Sequence, residues 1–244
     1  FERGLAGDVL SRVFDGAVAA APTGQGPAAG FMPHSVSEES QVRHLKDQLL
    51  GTLDRNEGSF VGFTPRLFEQ TFGNPGQDPV TYAGVRVRGT IDRVDVDARG
   101  RAAVIDYKSG NSGGSRYRPE AADDLSSWVP GNIQALLYAR VLPQVAPGLE
   151  PVAAVYFTTG DDPGVGGMAE RGFAESMEGA FRGKTPNVVT PDHVAAASFE
   201  DVLARAEEVA AEAVASMAAG HVEPRPRDRW ACMGCPAVAC EKRI

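Results

Sequence analysis

The sequence predicts a mixed α/β fold, a central mixed sheet flanked by helices, and three observations predict it. Candidate elements follow in the order helices, strands, helix, strand, helix, which is the order of a layered α/β core. The stretch from Gly89 to Lys108 reads as a β-hairpin that leaves an apolar interior and ends in charge. A chain of 244 residues that is 43% hydrophobic has the material for a substantial core in one large domain, read here as 1–244 with a cysteine-bearing tail over 221–244.

The elements can be justified in chain order. Residues 4–17 carry Leu5, Val9, Leu10, Val13 and Phe14 at helical spacing. Residues 21–33 are rich in Gly, Pro and Ala and read as a loop. A second helix is expected over 38–54, with polar residues around Val42, Leu45, Leu49 and Leu50. Arg66 to Phe72 reads as a strand carrying Glu69, Gly73 to Asp78 as a turn, and Val80 to Val87 as a further strand. In the hairpin, Val94, Val96, Val104 and Ile105 suit strands, and Asp97, Arg99 and Gly100 suit the turn. Residues 109–127, rich in Gly, Ser and charge, are expected to form a mobile loop beside the hairpin's end. Asn132 to Val141 is a helix ended near Pro143, and Val152 to Thr158 an apolar strand. Residues 160–192 look irregular, and Ser198 to Ala219 is a long Ala- and Glu-rich helix stopped by Gly220.

Composition narrows the functional classes. No apolar run approaches the ~18 residues of a membrane span, so no transmembrane segment is expected. A net charge of −8 is not the footprint of a protein that holds nucleic acid by its global field. The three cysteines, Cys232, Cys235 and Cys240, are all local, which suggests a metal or cluster site in a reducing compartment rather than a disulfide framework. The first residue is Phe1 and no signal peptide is visible, so the chain reads as a piece of a longer polypeptide. High Ala, Gly, Pro and Arg suggest a GC-rich bacterial genome, and with the cysteines' reducing compartment the expected setting is the bacterial cytoplasm.

The chemistry concentrates in the hairpin. Side chains alternate along a strand, so Asp106 and Lys108 face one way, and pairing about the turn brings Asp92 near Asp106. Two adjacent carboxylates stay ionised most easily around a divalent cation, and a lysine beside them can orient a water or stabilise developing negative charge. The same spacing on its own would also fit a surface hairpin with ordinary salt bridges. The apolar residues just before Asp106 speak against simple exposure.

This ordered set, Gly89-Thr-Ile-Asp92-Arg93, Ile105-Asp106-Tyr107-Lys108, Gln134-Ala-Leu-Leu-Tyr138 and a terminal cysteine cluster, resembles the PD-(D/E)XK nuclease superfamily. The Gln-x-x-x-Tyr stretch resembles the RecB-like branch. The spacing Cys232-x-x-Cys235-x-x-x-x-Cys240 resembles the iron–sulfur staple of AddB-type helicase–nucleases, of the AddAB and AdnAB kind. The resemblance covers about Gly4 to Cys240. It implies a restriction-endonuclease-like core and Mg²⁺- or Mn²⁺-dependent hydrolysis of DNA, on single strands emerging from a helicase motor. That motor would lie in the same polypeptide, with a partner helicase–nuclease subunit beside it. By resemblance, Asp92, Asp106 and the Tyr107 carbonyl ligate the metal, Lys108 positions the attacking water, and Gln134 and Tyr138 orient the lysine or contact the backbone. Glu69 is a possible supporting carboxylate, its alternative being an exposed strand residue.

Two departures accompany the resemblance. Where the family carries a His in the first helix, this chain has Asp8, which is either a hard-cation ligand or a helix-surface carboxylate. None of His34, His44, His193 and His221 has a context that replaces it. Three cysteines also leave a tetrahedral zinc or a [4Fe–4S] cluster one ligand short. In the family the fourth cysteine precedes the first helix, which would put it before Phe1; a zinc site completed by His221 is the other option. Arg225, Arg227, Arg229, Lys242 and Arg243 make the most basic stretch, either a solvated tail or a DNA-backbone contact. The alternatives to a helicase-linked nuclease are a catalytically inactive fold that binds DNA or docks a partner subunit, and a stand-alone nuclease.

Overall fold

Strand β5 (Arg101–Lys108) is the spine of the molecule, and Ala102 through Asp106 are buried on both its faces. That is why it reads as a near-continuous apolar run rather than an alternating one. The computed structural model describes residues 3–20, 35–56, 60–110, 112–177, 185–224, 226, 232–233, 235–237 and 239–242. The loop expected over 21–33 and the basic residues Arg225, Arg227, Arg229 and Arg243 lie outside the described residues.

Around β5 a six-stranded sheet forms in the order β1 (Thr64–Phe72), β4 (Gly89–Val96), β5, β6 (Glu150–Thr158), β7 (Gly164–Ala169) and β8 (Asn187–Val189). β1, β4 and β5 run antiparallel, β6 pairs parallel with β5, β7 antiparallel with β6, and β8 parallel with β7. The parallel β5–β6 pair needs a crossover, and α3 (Gln134–Val145) supplies it. The mixed α/β sheet flanked by helices that the sequence predicts is therefore the architecture observed.

Each sheet face has its own core. Ala102, Val104, Ala154 and Tyr156 pack under α3 and α5 (Phe199–Ala218), together with Leu136, Leu142 and Leu203. Ala103, Ile105, Val155 and Phe157 pack on the other face against Phe60 and Phe173, the latter on α4 (Arg171–Ser176). The hairpin turn is built by Asp97, whose carboxylate accepts from the Arg99 and Arg101 amides at 2.8 and 2.9 Å. Gly100 sits there at φ 86°, a conformation side chains disfavour. α5 starts on a capping box between Ser198 and Asp201.

Several elements differ from expectation. Val80 to Val87 is not one strand but a tight hairpin, β2 (Val80–Tyr82) and β3 (Val85–Val87), turned by Ala83 and Gly84 at φ 53° and 75°. α3 continues through Pro143 and ends two residues later, at Val145, rather than stopping at Val141. The stretch 160–192 holds β7, α4 and β8 rather than irregular chain. Residues 109–127 contain two 3-10 turns, Ser115–Tyr117 and Leu125–Ser127, and pack on β7 instead of standing free. α1 (Arg3–Ala20) pairs with α2 (Val36–Asn56) through Lys46 and Asp15 at 2.8 Å, and leaves Leu5, Val9 and Val13 exposed. No helix among the described residues is long and apolar enough to cross a membrane.

Glu207 ties three elements together: its carboxylate meets Arg140 Nε at 2.6 Å and accepts from the Ala83 amide at 3.1 Å. Burial pushes its carboxyl up, but the Arg140 hydrogen bond, the Ala83 amide and the Arg140 charge outweigh this and hold it below the usual glutamate value. A depressed folded value means the stabilisation is complete above the unfolded value of 4.5 and is lost as pH falls through the folded one. Glu207→Gln is therefore expected to lose about 1 kcal/mol at neutral pH. Denaturant unfolding of parent and variant should converge as the pH falls below 4.5 and through the lower folded value.

Candidate active site

The hairpin register settles which side chains meet. Arg93 pairs with Ile105 and Val94 with Val104, so Asp92 stands across from Asp106 at the open end of the hairpin. The Asp92 carboxylate accepts from the Tyr107 amide at 2.8 Å, which pins one carboxylate to the strand that carries the other. Asp106, Lys108 and Asp92 lie on the sheet face that α3 covers, since they alternate in phase with the buried Val104 and Val94. The site lies at the carboxyl end of β5, beside its parallel neighbour β6.

Asp106 is 1% exposed. Lys108 Nζ approaches its Oδ2 to 2.5 Å, close enough for an ion pair, yet off the axis a hydrogen bond needs. Oδ2 is thus a buried carboxylate oxygen in contact with a cation but without a directed donor. Burial pushes the Asp106 carboxyl above the usual range; the neighbouring Lys108 ammonium pulls it down only in part, and the Asp92 charge adds to the rise. An under-satisfied buried oxygen facing a second carboxylate is the donor arrangement that a hard divalent cation would complete.

Lys108 is held from above. Its ammonium donates to Gln134 Oε1 at 2.8 Å, and Gln134 Nε2 donates to the Tyr138 hydroxyl at 2.9 Å. Gln134 and Tyr138 are one helical turn apart at the start of α3, so both reach the same spot. Tyr138 is in turn wedged edge-on against Phe72 of β1, ring centroids 6.0 Å apart. Of the residues picked out in the sequence, Asp92, Asp106, Tyr107, Lys108, Gln134 and Tyr138 are brought together.

Others are not. Asp8 is exposed on α1, and no group of three or more His, Cys, Asp or Glu side chains among the described residues could hold a metal ion. Asp8 therefore does not join Asp92 and Asp106 as a third ligand. Glu69 lies at the register position across from Asp92, between the Phe68–Arg93 and Gln70–Ile91 pairs, but it is exposed, with its backbone at φ 47°. Its carboxylate forms no such group either. The cluster expected on Cys232, Cys235 and Cys240 is not assembled: Cys235 is exposed, the other two are half-buried, and the three thiols do not converge. His221, the proposed alternative ligand, is exposed and joins no such group.

Three supports escaped the sequence reading. Arg93 and Asp95, two residues apart and so on one face, form a bidentate ion pair at 2.6 Å on the far side of the sheet, with Asp95 buried. Arg93 also donates to the Tyr107 hydroxyl at 3.0 Å, which anchors the residue whose amide holds Asp92. Tyr156 lies under the lysine, Lys108 Nζ being 5.9 Å from its ring centroid, and its hydroxyl accepts from the Ala135 amide at 2.9 Å. That bond satisfies one of the free amides at the start of α3. The i, i+2 spacing of Arg93 and Asp95 was visible in the sequence; the role of Tyr156 depends on the β5–β6 register and was not.

Residues 5–240 match the family model of the PD-(D/E)XK nuclease superfamily. No curated protein matches the sequence.

Proposed function

The chain belongs to the PD-(D/E)XK nuclease superfamily, and from that premise we propose that it hydrolyses phosphodiester bonds of single-stranded DNA at Asp92, Asp106 and Lys108. The observation that carries this reading is the in-register pair of carboxylates whose buried Oδ2 lacks a directed donor, beside a lysine fixed by Gln134. Asp92 and Asp106, with the Tyr107 carbonyl, would hold Mg²⁺ or Mn²⁺. Such an ion, when bound, polarises a phosphoryl oxygen and acidifies its water. Lys108 stabilises the negative charge that develops on the phosphoryl group, and Gln134 and Tyr138 keep its ammonium on station. Arg93 and Asp95 position Tyr107 from the opposite face.

The reading extends to a nuclease module that takes single strands from a helicase motor in the same polypeptide, beside a partner subunit, in the bacterial cytoplasm. The Gln134-to-Tyr138 network and the cysteine spacing support that context. No step is assigned to Cys232, Cys235 and Cys240, which supply three thiolates where a tetrahedral site takes four.

The direct test is cleavage of end-labelled single-stranded DNA with Mg²⁺ or Mn²⁺, with and without chelator. Metal-dependent cleavage supports the reading; a folded protein that binds the strand without cutting it would favour the inactive, DNA-binding alternative. Gln134→Ala separates positioning from binding. It leaves Lys108 without its acceptor, so kcat should fall about 10–100-fold with KM little changed. Thermal stability should change by less than about 1 kcal/mol, because the side chain is exposed.

A further inference from the structure

Next to Lys108, on the same face of the sheet, lies a small cleft of about 80 Å³ that opens to solvent. Its wall is aromatic: Tyr117 stacks on Tyr156 with centroids 4.6 Å apart and planes at 22°, and Trp128 is buried beside them. Its mouth is cationic. Arg116 and Arg118 are exposed, and neither guanidinium has an ion-pair partner among the described residues, although Glu120 also borders the opening. The ring of Tyr156 belongs to both places, since it lines the cleft and underlies the Lys108 ammonium.

We propose that this cleft receives one unstacked base of a single strand while the neighbouring phosphate lies at Asp92, Asp106 and Lys108. The half-buried ring of Tyr117 offers the aromatic surface an unstacked base seeks, and two guanidinium groups unpaired among the described residues, on a chain of net charge −8, suit the flanking phosphates. A base inside a duplex cannot reach the cleft without leaving its stack, so the cleft favours single strands. The proposal rests on the nuclease reading above and adds a contact to one base next to the cleaved bond.

The test uses the whole chain with single-stranded oligonucleotides that carry one abasic site at successive positions. With Mn²⁺ the bond next to the abasic site should be cut about tenfold more slowly at one register, the cost of one lost base–aromatic stack. Tyr117→Ala should cut the intact strand more slowly and shrink that difference to about twofold or less, whereas the exposed Arg118→Ala should slow intact and abasic strands alike and leave the difference standing. A parent that cuts intact and abasic strands equally at every register overturns the cleft and leaves the nuclease reading standing. A parent that cuts neither overturns the nuclease reading, and equilibrium binding of the same strands in chelator then decides the cleft. Tighter binding of the intact strand, lost in Tyr117→Ala, upholds it; equal binding overturns it.

Discussion

Asp106→Asn is expected to abolish metal-dependent cleavage, by about 10³-fold or more, while leaving the metal-free protein as stable as the parent or slightly more so. The two effects have one origin. Asp106 Oδ2 is buried without a directed hydrogen bond, and burial holds the carboxyl above its usual range. Its charged form is therefore costly at neutral pH, and the isosteric amide removes that cost. Removing one partner of a buried ion pair commonly costs about 3–5 kcal/mol because the other charge is stranded. That penalty does not apply here, since the Lys108 side chain is 30% exposed and keeps Gln134 as an acceptor. Activity falls because a neutral amide is a poor ligand for a hard cation, whose polarisation of the phosphoryl group contributes several kcal/mol. Thermal melts with and without Mn²⁺ check the assignment: the parent's Tm should rise with the ion and that of the variant should not. A metal-free Tm that drops by about 5 °C or more would make Asp106 a structural residue instead.

How much of this site was legible in the sequence follows from where each interaction comes from. Asp92, Asp106 and Lys108 could be placed together because two strands joined by a short turn convert spacing directly into proximity. Asp97 and Gly100 announce that turn, and the observed register brings Asp92 opposite Asp106. Gln134 and Tyr138 were legible as a pair by helical spacing, but that Gln134 receives the lysine depends on where the crossover helix lands. Asp8, open in the sequence between a metal ligand and a helix-surface carboxylate, is the converse case. Nothing local says where α1 docks, and it packs on α2 with an exposed carboxylate rather than over the hairpin. Arg93 and Asp95 read as ordinary hairpin charges because a sequence does not reveal that the far face of the sheet is covered by Phe60 and Phe173.

The clearest failure of local reading, β7, carries the second large prediction. Gly164-Val-Gly-Gly-Met-Ala169 has too many glycines to look like a strand. Gly164 and Gly166 are required by a neighbouring loop rather than by the strand, while a Cβ on Gly167 would strike the Ala154 carbonyl oxygen of β6 at 2.4 Å. A Cβ on Gly166 would come within 2.1 Å of the Gly114 carbonyl oxygen, and one on Gly164 within 2.1 Å of the Gly113 oxygen. In return, a Cβ on Gly114 would meet the Val165 carbonyl carbon at 2.3 Å. Two backbones thus cross in direct contact, and this crossing carries the 3-10 turn that presents Arg116 and Tyr117 to the cleft. Gly166→Ala is therefore expected to destabilise by about 3 kcal/mol or more, because the atom it strikes is backbone and cannot swing aside. In a chain of this size that is a fall in Tm of about 6–12 °C. Gly172→Ala, on α4 with nothing within 4 Å of the added methyl, is the matched control and should be neutral or slightly stabilising. Equal melts for the two variants would mean that the loop and β7 are not in backbone contact. If instead Gly166→Ala is destabilised and also cuts single strands more slowly at temperatures where it is still folded, the loss follows from displacing Tyr117. The hairpin carboxylates are held by β4 and β5 and do not depend on that crossing.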